Sequence, residues 1–186
     1  AGEFIRTKVA PELDAFRFAS YCSKEGVIPV EETLDDGAKV IAALRKAVIA
    51  MDEAEVPAEE RYLFITPTLY GMVEDMETTS SRQVLGRFAG VMQVPHTRFY
   101  TAIQQKTGRD GETDGGFAKA AEGKQLNFMV IHKAAVMQFE KHVAPKIIAP
   151  DQNPDADAWK FGYRNVGIAD VYQNKLAGVY ASCQTA

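Results

Sequence analysis

The run LNFMVIHKAAVMQFEKHVAP, from Leu126 to Pro145, constrains the fold more than any other part of the chain. Leu126, Phe128 and Val130 alternate with Asn127, Met129 and Ile131, so both faces of this segment are largely apolar. Strand side chains point alternately to the two faces of a sheet, and a strand that is apolar on both belongs where both faces are covered. The segment predicts a central strand. After His132-Lys133 the pattern resumes, with Met137, Phe139 and Val143 set against Gln138, Glu140 and His142, which predicts a second strand with one wet face.

Layers to cover that strand are legible on either side of it. Pro11 suits the first turn of a helix, and Leu13, Phe16 and Ala19 with Ser20 and Ser23 give a short helix stopped near Gly26. Val27-Ile28-Pro29-Val30 is extended, because the residue before a proline is pushed out of the helical region. Thr33 with Asp36 three residues on resembles a capping box, predicting a helix over 34–55 with an apolar stripe of Ile41, Leu44, Val48 and Met51. Pro57 ends it, Arg61 to Ile65 reads as a buried strand, and Thr66 is placed to cap a helix whose first residue is Pro67. Thr78 to Ser81 reads as a loop, and Val91 to Tyr100, interrupted by Pro95, as an edge or bulged strand. Near the C-terminus, Phe161 to Tyr172 and Leu176 to Ala181 predict two strands of a terminal hairpin turning at Gln173-Asn174-Lys175, with bulges or close backbone contact at Gly162, Gly167 and Gly178.

Chemistry is sparse. His96, His132 and His142 are the three histidines, and none has a partner at a metal-ligating or catalytic spacing. No nucleophile elbow occurs, and Gly123-Lys124 lacks the rest of a phosphate-binding loop. Asp110, Glu112, Asp114 and Gly115, within the polar run Gln104 to Gly116, imitate the opening of a calcium loop, but Ala121 stands where the bidentate acid is required and Glu122 comes one place late. Residues 107–116 read as a mobile surface loop. Glu59-Glu60-Arg61 and Glu74-Asp75 read as solvated charges, and Arg164 with Asp170 as a sheet ion pair. No residue is assigned a catalytic, cofactor-binding or metal-ligating role, so no cofactor is expected.

Composition narrows the partners. A net charge of -4, without a basic run or aromatic-basic interleaving, argues against sequence-specific nucleic-acid binding. The longest apolar run falls short of the ~20 residues a bilayer-crossing helix needs, so no membrane partner is expected. Cys22 and Cys183 form no metal knuckle or disulfide framework, which fits a reducing compartment. The opening Ala-Gly-Glu-Phe has no initiator methionine and the first ten residues no periodicity, as expected of a trimmed fragment.

Taken in order, PELDAFRF (Pro11 to Phe18), the 33–55 segment followed by RYLFITPTLYGMV, MVIHKAAV (Met129 to Val136) and NVGIADVYQNKLAGVYA (Asn165 to Ala181) resemble the major capsid proteins of tailed bacteriophages and prophages, of the Hong Kong 97-type fold. The resemblance covers about residues 8 to 182, and its most telling parts are the last two. It implies an α+β fold: a two-lobed coat-protein core with a central sheet flanked by helices and a peripheral β-hairpin, occupying residues 1–186 as a single unit of two interleaved lobes. It implies a structural role without enzymatic activity, self-association into rings or a shell enclosing DNA, and residence in the virion after the bacterial host cytoplasm. Family members carry a long N-terminal arm and an extended upstream loop, for which 186 residues leave little room, so a core fragment is implied. Two other readings stand beside it: a small intracellular α/β enzyme or ligand-binding domain using His132 and the acidic loop near Asp110, and a nanocompartment shell of the same fold.

Overall fold

All seven residues of Leu126–His132 are buried, and the strand they form is the middle one of a five-stranded sheet. The computed structural model describes residues 2–107 and 116–185. Helix α1 (Gly2–Phe4) passes through a wider turn, Ile5–Val9, into α2 (Ala10–Cys22), so the first ten residues, which show no periodicity in sequence, nevertheless take helical form from Gly2 onward. There follow β1 (Val30–Glu31), α3 (Gly37–Glu53), β2 (Arg61–Ile65), α4 (Pro67–Asp75), α5 (Thr79–Leu85), β3 (Gly90–Gln93), β4 (Ile103–Lys106) and β5 (Gly116–Lys119). The chain closes with β6 (Leu126–His132), β7 (Val136–Ile148), β8 (Lys160–Val171) and β9 (Val179–Cys183).

The large sheet runs β1-β9-β6-β2-β3, with β6 antiparallel to both neighbours and the two outer pairs parallel. Alternation sends Leu63, Ile65, Phe128 and Val130 to one face, where the α3 stripe of Ile41, Leu44, Val48 and Met51 covers them together with Leu69, Val73 and Val84. Met129 and Ile131 point the other way, toward α2. A register shift between Leu126 and Phe128 puts Leu126 with this second group, so the strict alternation predicted across 126–131 breaks at its first step. On the α2 side Phe18 sets its ring edge-on against Phe64, centroids 5.3 Å apart, and against Phe99 at 4.8 Å. Such pairs add roughly 0.5–1.5 kcal/mol each beyond the area they bury.

Several local expectations are corrected. The buried face of α2 is Ala15, Phe18, Ala19, Tyr21 and Cys22; of the predicted Leu13, Phe16 and Ala19 only Ala19 lies on it. Helix α3 is capped by Asp36, whose carboxylate accepts from the Lys39 N–H at 2.7 Å, while Thr33 pairs with Thr185. Thr78 to Ser81 is the start of α5, not a loop: the Thr78 hydroxyl accepts from the Ser81 N–H at 3.1 Å. Arg61 is 2% exposed instead of solvated, paired with Asp52 at 2.7 Å and donating to the Val56 and Pro57 carbonyls. It ties the loop after α3 to the first residue of β2.

The terminal hairpin also takes another form. β8 pairs antiparallel with β7 in a separate two-stranded ribbon, whereas β9 crosses to the large sheet between β1 and β6. The hairpin is therefore β7–β8, and residues 173–178 form a tight helical turn between sheets. Gly167 sits at the ribbon's register shift between Glu140 and His142, where a Cβ would lie 2.9 Å from the Phe139 carbonyl oxygen. β3 lies at the edge of its sheet, as Pro95 predicts.

Candidate functional site

His96 and His132 do not converge. His96 is exposed, its Nε2 3.3 Å from the Thr68 hydroxyl oxygen, whereas His132 is buried at the end of β6, where a Cβ on Gly178 would lie 3.5 Å from its Cβ. His142 stands on the ribbon opposite Val166. Among the described residues no group of three or more His, Cys, Asp or Glu could hold a metal ion. Asp110, Glu112, Asp114 and Gly115 lie outside the described residues, flanked by the antiparallel pair β4–β5. Asp170 is held by Lys24, beyond the end of α2, at 3.0 Å, and this hydrogen-bonded ammonium keeps its carboxyl below the usual range. The expected sheet pairing of Asp170 with Arg164 is thus replaced by a contact to Lys24.

What the structure does present is the ribbon. One face of it meets α2: Gln138 donates to the Tyr21 hydroxyl at 2.6 Å, and Arg17 pairs with Glu140 at 2.7 Å. Burial raises the Tyr21 phenol above its ordinary pKa, against the lowering effect of that hydrogen bond and of Arg17. Phe139 lies between Gln138 and Glu140 in sequence and so turns to the opposite face, where Ile168 is its direct cross-strand partner and Val166 the next residue on that side. They are 60%, 61% and 50% exposed respectively. The strand predicted to have one wet face instead leaves its apolar residues exposed as well, since among the described residues none buries them. A local alternation pattern identifies an apolar face but carries no information about whether the same chain covers it.

Between the helical residues and the ribbon runs a cleft of about 590 Å³, bordered by Phe4, Val9, Leu13 and Phe16 on one side and on the other by ribbon residues that include Asn165 and also Phe139, Val166 and Ile168. The side-chain amide of Asn165 is buried there, and neither its oxygen nor its nitrogen has a hydrogen-bond partner among the described residues. Leu13 and Phe16, read from the sequence as part of the first helix's apolar spacing, are wall residues of this cleft. Sequence reasoning missed the exposed ribbon face. Its signal was a long alternating pair of strands, 136–148 and 160–171, with no further amphipathic segment to cover them.

No protein-family model matches the chain, and no curated protein matches its sequence. Solved structures do match. A chain from a structure of Mycobacterium phage Che8 superposes with a TM-score of 0.59 at 12% identity, over 94% of this chain and 58% of that one. A virus-like particle from Pyrococcus furiosus gives 0.60 at 11% identity, over 94% and 62%. The capsid of cyanophage P-SCSP1u gives 0.54 at 17%, over 94% and 61%. The fold is the α+β fold of phage major capsid proteins, as the sequence resemblance implied. The chain spans about three fifths of the length of the capsid and particle chains it matches.

Proposed function

We propose that this chain is a structural subunit, or the core of one, that self-associates into a shell enclosing DNA, and that none of its residues is catalytic. The observation that carries this reading is the open apolar face of the ribbon, Phe139, Ile168 and Val166, on a chain whose fold is shared with capsid and particle subunits. Exposed apolar patches on a folded chain mark association surfaces. Two lobes follow from this assignment: the five-stranded sheet with α3, α4 and α5, and α2 with the ribbon. A head-to-tail contact related by rotation suits a shell, because such contacts close into rings. We place the subunit in the virion, and in the bacterial host cytoplasm before assembly, with other copies of itself as its partners and neither a membrane nor a specific nucleic-acid sequence among them. Among the described residues no helix is long and apolar enough to cross a membrane.

The Pyrococcus furiosus particle keeps the nanocompartment reading beside the phage one. The enzyme reading has no corresponding support: His132 is buried and borders none of the clefts described here. Light scattering and electron microscopy of the chain, with Phe139→Asp as the variant, test the proposal. The expected result is concentration-dependent association into rings or larger closed assemblies, weakened at least tenfold by Phe139→Asp while circular dichroism is unchanged. A strictly monomeric chain, or a tight two-fold dimer indifferent to Phe139→Asp, would overturn it.

A further inference from the structure

The N-terminus of α4 is open in an unusual way. Pro67 holds the first position, so the Thr68 and Leu69 N–H groups precede the first bond of the helix, which runs from the Tyr70 N–H to the Thr66 carbonyl at 3.0 Å. A threonine at this cap ordinarily accepts from one of those N–H groups through its hydroxyl. Thr66 does not. Thr66 is 0% exposed, and its hydroxyl has no hydrogen-bond partner among the described residues. A buried hydroxyl in that state, beside two N–H donors without an acceptor among the described residues, is a set of groups awaiting an acceptor.

A cavity of about 260 Å³ is bordered by the residues that carry these groups, Thr66, Thr68 and Leu69, and by His96, Asn127 and Glu32. His96 reaches the Thr68 hydroxyl, with 3.3 Å between Nε2 and Oγ1. Asn127 is fixed in place by donating to the Glu32 carbonyl at 3.0 Å and to the Ser182 hydroxyl at 3.2 Å. The Glu32 carboxylate is engaged elsewhere, by Lys46 at 3.0 Å and by the Ser182 hydroxyl at 2.8 Å, so its charge is offset within the fold. The other charged groups of the region therefore leave the positive end of the helix dipole facing the cavity.

We propose that this cavity binds a small oxyanion, whose oxygens accept from the Thr68 and Leu69 N–H groups and from the Thr66 hydroxyl, with His96 closing the outer side. Phosphate-type and carboxylate ligands share that chemistry. The site lies on the large sheet and does not depend on the assembly reading. The test is a nuclear magnetic resonance titration of the whole chain with sodium phosphate and, separately, with sodium acetate, ionic strength being held constant with sodium chloride. We expect saturable shifts of the Thr68 and Leu69 amides and of the His96 ring with at least one anion; phosphate saturating alone would identify a tetrahedral ligand, and acetate alone a carboxylate. Thr66→Val should weaken that binding at least tenfold, with Thr66→Ala as the substitute if valine disturbs the fold, and Thr66→Ser should retain it. Shifts that do not saturate with either anion, or equal binding without the hydroxyl, would overturn the proposal and leave the cavity to water.

Discussion

Gly178 packs directly on Ala135: a Cβ built on the glycine would fall 2.4 Å from the Ala135 Cβ. The Tyr172 N–H donates to the Ala135 carbonyl at 2.9 Å beside this contact. The two sequence segments that most resemble coat proteins, one ending in His132-Lys133-Ala134-Ala135-Val136 and the other holding Leu176-Ala177-Gly178-Val179-Tyr180, therefore touch at the point where β8 leaves the ribbon and β9 enters the large sheet.

Gly178→Ala should destabilise the fold by about 1–3 kcal/mol, because the added methyl overlaps the neighbouring one and cannot relax without moving backbone. Combining it with Ala135→Gly should recover part of that loss. Denaturant titration of the three variants checks both statements, and a single-variant cost under about 0.5 kcal/mol, the size of an ordinary surface change, would show that the contact is loose.

Arg61→Met should cost about 2–4 kcal/mol, since it leaves the Val56 and Pro57 carbonyls without their donor and the Asp52 carboxylate with Arg87 alone. Asp52→Asn should cost less, because that carboxylate is partly hydrated and also lies 3.6 Å from Arg87. The ordering of the two thermal midpoints is the measurement. Equal losses would mean that the ion pair, and not the carbonyl contacts, dominates.

Leu44→Asp should prevent stable folding altogether. Leu44 is 0% exposed at the centre of the α3 stripe, and an unpaired carboxylate there loses its hydration with nothing to replace it, a loss of about 4 kcal/mol or more. Retention of a cooperative unfolding transition near the wild-type midpoint would contradict the assignment of this face.

Burial, with a smaller contribution from the nearby Cys183, pushes the Cys22 thiol up to about 12. At pH 8 the folded chain should resist iodoacetamide at Cys22, and the denatured chain should react fully, because the thiolate is the nucleophile. The linkage has a definite sign. The fold keeps the proton that the unfolded chain loses above its ordinary value of 9.0, so this residue's contribution to stability declines as pH rises from there toward 12. Mass spectrometry of the alkylated native chain, and unfolding curves across that alkaline range, check the two statements.

The sequence by itself determined the elements whose signals are local and whose partners lie within the same layer. The Ile41, Leu44, Val48 and Met51 stripe, the Arg61 to Ile65 strand and the doubly apolar 126–132 strand are each specified by a repeat of three to four residues or of two, and all three lie in the large sheet or on it. The tertiary structure decided what depends on distant pairing. Phe161 to Tyr172 and Leu176 to Ala181 carry the same β-rich signal, yet β8 pairs with the preceding strand and β9 with the central one, because Gly178 lets the chain pass against Ala135 into the slot between β1 and β6. The exposure of Phe139 and Ile168, the burial of Arg61 and a Thr66 hydroxyl without a partner among the described residues belong to the same class. Alternation and capping patterns state which way a side chain points, while whether anything waits there is fixed by elements up to a hundred or more residues away in the chain, as Arg17 and Glu140 are.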